Sequence, residues 1–184
     1  MQEKQKLHKK ILWITRTAVL IALLVVLQAA TIPLGNNFVT GSVVNLMLIL
    51  SVMTSGISTG FTVATVSPVM PTLLGFGPTW PLIPFIAAGN IALVSVWHFI
   101  GNRDMKIKYM SQIIALAAGA VGKFAVLYVG IVQIAVPHIL GLPEQNPLVY
   151  LFSYPQLITA SIGGAIAILL LPTLKKAIRH VTSS

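Results

Sequence analysis

Cysteine is absent from this 184-residue chain and acid nearly so: Glu3, Asp104 and Glu144 are all the carboxylates it has. The first absence excludes disulfides and thiol chemistry and leaves the compartment open. The second is more restrictive. A proton relay or ion-coupled pump uses an ionisable acid within a membrane span, and a carboxylate metal site needs several acids. All three acids here fall in a tail or a loop, so no metal site and no cofactor is expected. No G-x-x-x-x-G-K-[ST] string occurs either, which removes that route to ATP. Charged residues of both signs make up only 8% of the chain, against 56% hydrophobic and a mean hydropathy of +0.90. A soluble domain carries roughly a quarter charged residues, so this composition belongs to a membrane protein.

What is present is a series of apolar runs, each to be compared with the roughly 20 helical residues that cross a hydrocarbon core. Six emerge, at 11–32, 39–54, 56–74, 82–101, 109–136 and 155–171, within a single membrane domain, 1–184. The first exceeds the apolar core of a signal peptide and reads as a retained helix. The second and third meet in "TSGISTG", whose small turn-forming residues suit a tight hairpin. The basic residues decide the count, because Lys and Arg concentrate in cytoplasmic segments. Six spans put Lys4, Lys6, Lys9, Lys10, Arg16, Arg103, Lys106, Lys108, Lys175, Lys176 and Arg179 on one side, whereas five would divide them. The expected fold is all-α: six transmembrane helices in a multi-pass cell-membrane protein, both termini cytoplasmic. The basic excess then reports topology, and no nucleic-acid partner is expected.

"GISTG", 56–60, formally matches the G-x-S-x-G of serine hydrolases. That signature needs a strand before the serine and an acid and histidine to orient it. Ser58 falls instead in the expected hairpin, so no catalytic residue and no enzyme is expected. The informative residue is Lys123, in "AAGAVGKFAVLYVG", 117–130. It lies about 20 Å along the fifth helix, where a lysine costs about 2.5 to 3.5 kcal/mol on insertion scales. No acid within the spans can pair with it. Backbone carbonyls, the amides of Gln28, Asn45 and Asn90, water, or an anionic ligand remain as partners. Those amides, with Tyr128, Tyr154, Gln156 and Trp80, are the candidate lining of an outward-facing pocket. A structural lysine between helices, and interfacial anchoring of Trp80, Tyr150 and Tyr154, are the competing explanations.

Helix one, in "TRTAVLIALLVVLQ", sets Ala18 and Ala22 one turn apart on one face, a spacing that lets another helix come close. The six short helices, the "R-T-A-V-L-I-A" of helix one, the missing energy-coupling motif and the final "PQLITASIGGAIAILLLPTLKKA" together resemble the substrate-binding S component of an energy-coupling factor (ECF) transporter. The resemblance covers nearly the whole chain. It implies capture of a water-soluble vitamin near the outer face, followed by toppling on a transmembrane coupling subunit and two ABC ATPases. It also implies that Ala18 and Ala22, matching the family's Ala-x-x-x-Ala, meet the coupling subunit. "MQEKQK" has no leading histidine, which disfavours the nickel and cobalt branch. A carboxylate suits Lys123, and pantothenate is the first expectation; folate, biotin and nicotinate also carry one. If Lys123 is structural, hydroxymethylpyrimidine, pyridoxine, riboflavin and cobalamin return. A stand-alone channel or facilitator, or a scaffold, is the alternative of another class.

Overall fold

The structure, a computed structural model, describes residues 2–107 and 109–183, without the side chains of residues 2, 9 and 179–183. Lys108 and the side chains of Lys9 and Arg179, which entered the topology argument, therefore lie outside what is described. The described chain is helical, with no strand among its residues. Its elements are α1 (Gln2–Thr31), α2 (Asn37–Ser55), α3 (Ile57–Leu73), α4 (Ile83–Phe99), α5 (Met110–Leu127), α6 (Pro147–Leu151) and α7 (Pro155–Ser183). Helix α5 runs straight on into a π-helical segment, Tyr128–Ile139, and single 3-10 turns occupy Ile32–Leu34 and Trp80–Leu82.

Five segments are long and apolar enough to cross a membrane: Glu3–Leu34, Asn37–Ser55, Trp80–Phe99, Met110–Ile139 and Pro147–Ile178. Helix α3, with 17 residues, stands outside that set. Its limits are local. Gly56 takes φ +88°, a left-handed value that lets one residue reverse the chain between α2 and α3. At the other end, Pro68 and Pro71 remove two donors from the ladder before the helix stops. The two terminal helices exceed their expected spans: α1 continues back through the basic head, and α7 continues past residue 171.

Apolar side chains cover the outside of the bundle as well as its core, and several polar ones are buried. Val19, Val26, Ile113, Val121 and Leu169 face outward, while Thr17, Gln28, Asn45, Ser67, Asn90, Lys123 and Thr159 are buried. Outward apolar side chains meet lipid at no cost, and the inward polar ones bond across helices. One such bond, Thr17 Oγ1 with Thr59 Oγ1 at 3.1 Å, ties α1 to the start of α3. Between the two ends lies a dry core containing Leu24, Leu48, Ile49, Val63, Leu93, Val94 and Trp97.

The ends themselves differ in charge. Arg16, Thr54, Ser55, Leu174 and Ile178 border one apolar groove of about 330 Å³. The loop residues Arg103 and Asp104 meet Lys175 in another cleft. The early part of α1, the end of α2, the α4–α5 loop and the late part of α7 thus share a basic end.

Close helix contact rests on glycine. A Cβ on Gly163 of α7 would lie 2.7 Å from the Ser42 carbonyl oxygen and 2.8 Å from the Leu46 nitrogen of α2, both backbone atoms. At Gly60 and Gly164 the nearest atoms would be side chains, Val52 at 2.8 Å and Leu116 at 3.1 Å, whereas a Cβ on Gly122 meets nothing within 4 Å. Gly163→Ala is therefore expected to lower stability by about 1 to 3 kcal/mol through overpacking. Gly122→Ala is expected not to lower it. Thermal unfolding of the two variants in detergent checks the contrast.

Candidate functional site

Opposite the basic end, six helices contribute to a cavity of about 190 Å³. Gln28 comes from the last turns of α1, Asn45 from the first half of α2, and Ser67, Pro68 and Pro71 from the end of α3. Asn90 comes from α4, Lys123 and Leu127 from α5, and Gln156 from the start of α7. Phe152, just past α6, also lines it. Five of the seven polar or charged candidates read from sequence and placed at this end thus converge: Lys123, Asn45, Asn90, Gln28 and Gln156.

Lys123 sits at the centre of a directed network. Its ammonium donates to Asn45 Oδ1 at 2.6 Å. A lysine can only donate, so the asparagine must turn its oxygen to it and its NH₂ away. That NH₂ donates to Thr159 Oγ1 at 3.2 Å, and the Thr159 hydroxyl donates onward to the Gln156 carbonyl oxygen at 3.3 Å. Every bond runs in the same sense, from ammonium to backbone carbonyl. Asn45 is therefore engaged on both sides of its amide as the holder of Lys123, one of the amides expected as its partner, and it lines the cavity as well. The ammonium keeps further donors: it has three, and Asn45 is its one hydrogen-bond partner among the described residues. It is 4% exposed and no carboxylate pairs with it among those residues. The lysine thus brings unused donors to the border of the cavity.

A second network fixes Asn90. Proline at position 68 has no N–H to give the carbonyl four residues back, so the Ala64 oxygen is released from the α3 ladder. Ser67 Oγ donates to that oxygen at 3.0 Å, and Asn90 Nδ2 donates to it at 3.4 Å and to Ser67 Oγ at 2.9 Å. Asn90 Oδ1 is left buried without a partner among the described residues, and so is Gln28 Oε1. An unpartnered buried oxygen costs about 1 to 3 kcal/mol.

Three candidates stand outside this cavity. Tyr128 is one position beyond Leu127, about 100° further round the helix, and faces a separate pocket of about 360 Å³ with Gln133 and Glu144. Tyr154 is half exposed and sits edge-on to Tyr150, ring centroids 5.2 Å apart. Trp80 is exposed on its 3-10 turn. Thr159, Ser67 and Pro68 were missed in sequence, although two signals pointed to them. Thr159 follows Gln156 by three residues on the same helical face, and a proline within an apolar run frees a carbonyl that a buried side chain must satisfy.

Elsewhere, Ala18 and Ala22 are both exposed on α1, flanked by Val19 and Val26. Ser58 is exposed in the first turn of α3, directly after the hairpin residue Gly56. No strand precedes it, so "GISTG" does not form a nucleophile elbow. Comparison of the chain with protein-family models, with curated proteins and with solved structures gave no match.

The Lys123–Asn45 bond is testable by a double-mutant cycle. Asn45→Leu and Lys123→Met are each expected to destabilise by about 1 to 3 kcal/mol, because each orphans a buried group. The double variant is expected to lose less than the sum, with a coupling of about 0.5 to 3 kcal/mol. Unfolding in detergent measures it, and strict additivity would refute the bond.

Proposed function

We propose that the chain is the substrate-capture subunit of an ECF-type importer, binding a small water-soluble vitamin with a carboxylate group, pantothenate first. The observation that carries this reading is the cavity around Lys123. It gathers a buried unpaired cation and two unsatisfied acceptors at the end of the bundle away from the basic residues. In this reading six helices, α3 included, cross a bacterial plasma membrane. The basic end and both termini are cytoplasmic, in keeping with the positive-inside rule, and the cavity opens outward.

The dry core below the cavity, from Leu24 and Leu48 to Trp97, speaks against a continuous pore. It favours a binder that must move to release its cargo. The energy then comes from partners, a coupling subunit and two ATPases. The exposed Ala18 and Ala22 offer a smooth face on which a coupling helix can approach closely.

Two experiments test this. Equilibrium binding of the detergent-purified protein to a vitamin panel should find one tight ligand, with affinity falling about tenfold or more in Lys123→Met, as expected for loss of a charge-assisted bond. The panel comprises pantothenate, folate, biotin, nicotinate, hydroxymethylpyrimidine, pyridoxine, riboflavin and cobalamin. Unchanged affinity in Lys123→Met would assign the lysine to structure, and no binding at all would return the channel and scaffold readings. Separately, Ala18→Trp or Ala22→Trp should leave binding intact and impair ATP-dependent uptake in cells that supply the coupling module. Lost binding in those variants would mean that this face packs internally.

A further inference from the structure

Asn90 and Gln28, two of the residues that line the cavity, each hold a buried unpartnered oxygen, and they say more about the cargo than its charge. Ala64's carbonyl oxygen can only accept, so the Asn90 atom turned to it must be the NH₂, and the 2.9 Å bond to Ser67 Oγ uses that same nitrogen. Pro68 keeps this arrangement in place, because no helical N–H competes for the Ala64 oxygen. The other side of the amide, Oδ1, is thereby fixed as an acceptor. Gln28, on α1, adds a second amide, free to turn its oxygen or its NH₂ to a ligand. Both side chains are more than nine-tenths buried, and both oxygens lack a partner among the described residues. The same cavity is lined by Lys123, which can only donate.

We infer that the cargo is a small carboxylate that also carries hydrogen-bond donors, hydroxyl or amide N–H groups, and that Asn90 selects for those donors while Gln28 can also meet them. This rests on the capture reading above and narrows it. A ligand without donors would leave the Asn90 oxygen buried and unpaired. Sites built to bond a ligand's OH or NH reject analogues lacking it far more strongly than they reject a missing methylene. Size points the same way. At about 190 Å³ the cavity exceeds the roughly 150 Å³ cavity that holds benzene. It falls short of the roughly 300 Å³ at which drug-sized pockets begin. A compact or short-chain molecule suits it. Pantothenate and biotin carry a carboxylate and donors together. Nicotinate carries the carboxylate with no donor.

The test is calorimetric binding of the purified full chain to pantothenate, its alcohol counterpart panthenol, biotin, biotin methyl ester and nicotinate. A donor-bearing carboxylate is expected to bind best, its uncharged counterpart about tenfold more weakly or worse, and nicotinate more weakly still. Asn90→Leu and Gln28→Leu should each weaken the best ligand about tenfold or more. Nicotinate binding best, or no loss in either variant, would overturn the donor requirement and leave carboxylate capture standing. Equal binding of charged and uncharged counterparts would overturn the carboxylate requirement and assign Lys123 to structure, and no binding by any compound would overturn the capture reading and the inference with it. The comparison of compounds uses the unaltered protein, so it stands even if a variant fails to fold.

Discussion

An ammonium buried among apolar helices with no carboxylate to meet it is the constraint on which the rest of this molecule depends. The cost of placing it there is partly offset by one short bond to Asn45, and its other donors have no partner among the described residues. That bond organises the neighbourhood. Asn45 is held by Thr159, and Thr159 by the backbone of α7. The α2–α7 contact that permits this is close enough that Gly163 cannot carry a side chain without displacing backbone. A charge, an amide, a hydroxyl and a missing Cβ thus form one chain of cause across three helices.

The second polar cluster has a different origin and reaches the same place. Proline at position 68 interrupts the ladder of α3, and the released carbonyl is claimed by Ser67 and Asn90. The residual oxygen of Asn90 is a by-product of satisfying the backbone, and it faces the problem that Lys123 faces with the opposite sign. Donor and acceptor lacks thus belong to residues bordering one cavity. Internal pairing would have closed both, as it does for Thr17 with Thr59 at the other end of the bundle.

Much of this was legible in sequence, for identifiable reasons. Span-length apolar runs are a strong signal, and the hairpin at Gly56 follows from the only conformation that can reverse a helix within one residue. Lys123 stood out because a single charge in a long apolar run has no ordinary explanation. Its convergence with Gln28, Asn45, Asn90 and Gln156 was expected without being derivable, since spacing along one helix says nothing about the angle at which another crosses it. The aromatic candidates fared differently. Tyr128, Tyr154 and Trp80 belong at a membrane surface as readily as at a pocket, and residue type alone could not separate the two. The π-helical run after Leu127 has no clear mark in the sequence, although Pro137, which cannot donate to any ladder, lies inside it.

Pro68 and Pro71 carry one more consequence, a mechanical one. The last turns of α3 lack two N–H groups that an uninterrupted helix would use to hold its own shape. At Pro68 the lost bond is replaced by side chains, Ser67 from α3 itself and Asn90 from α4. That wall of the cavity is therefore held in shape partly by its neighbour, so a change at Asn90 alters the lining and loosens the backbone of α3 at the same time.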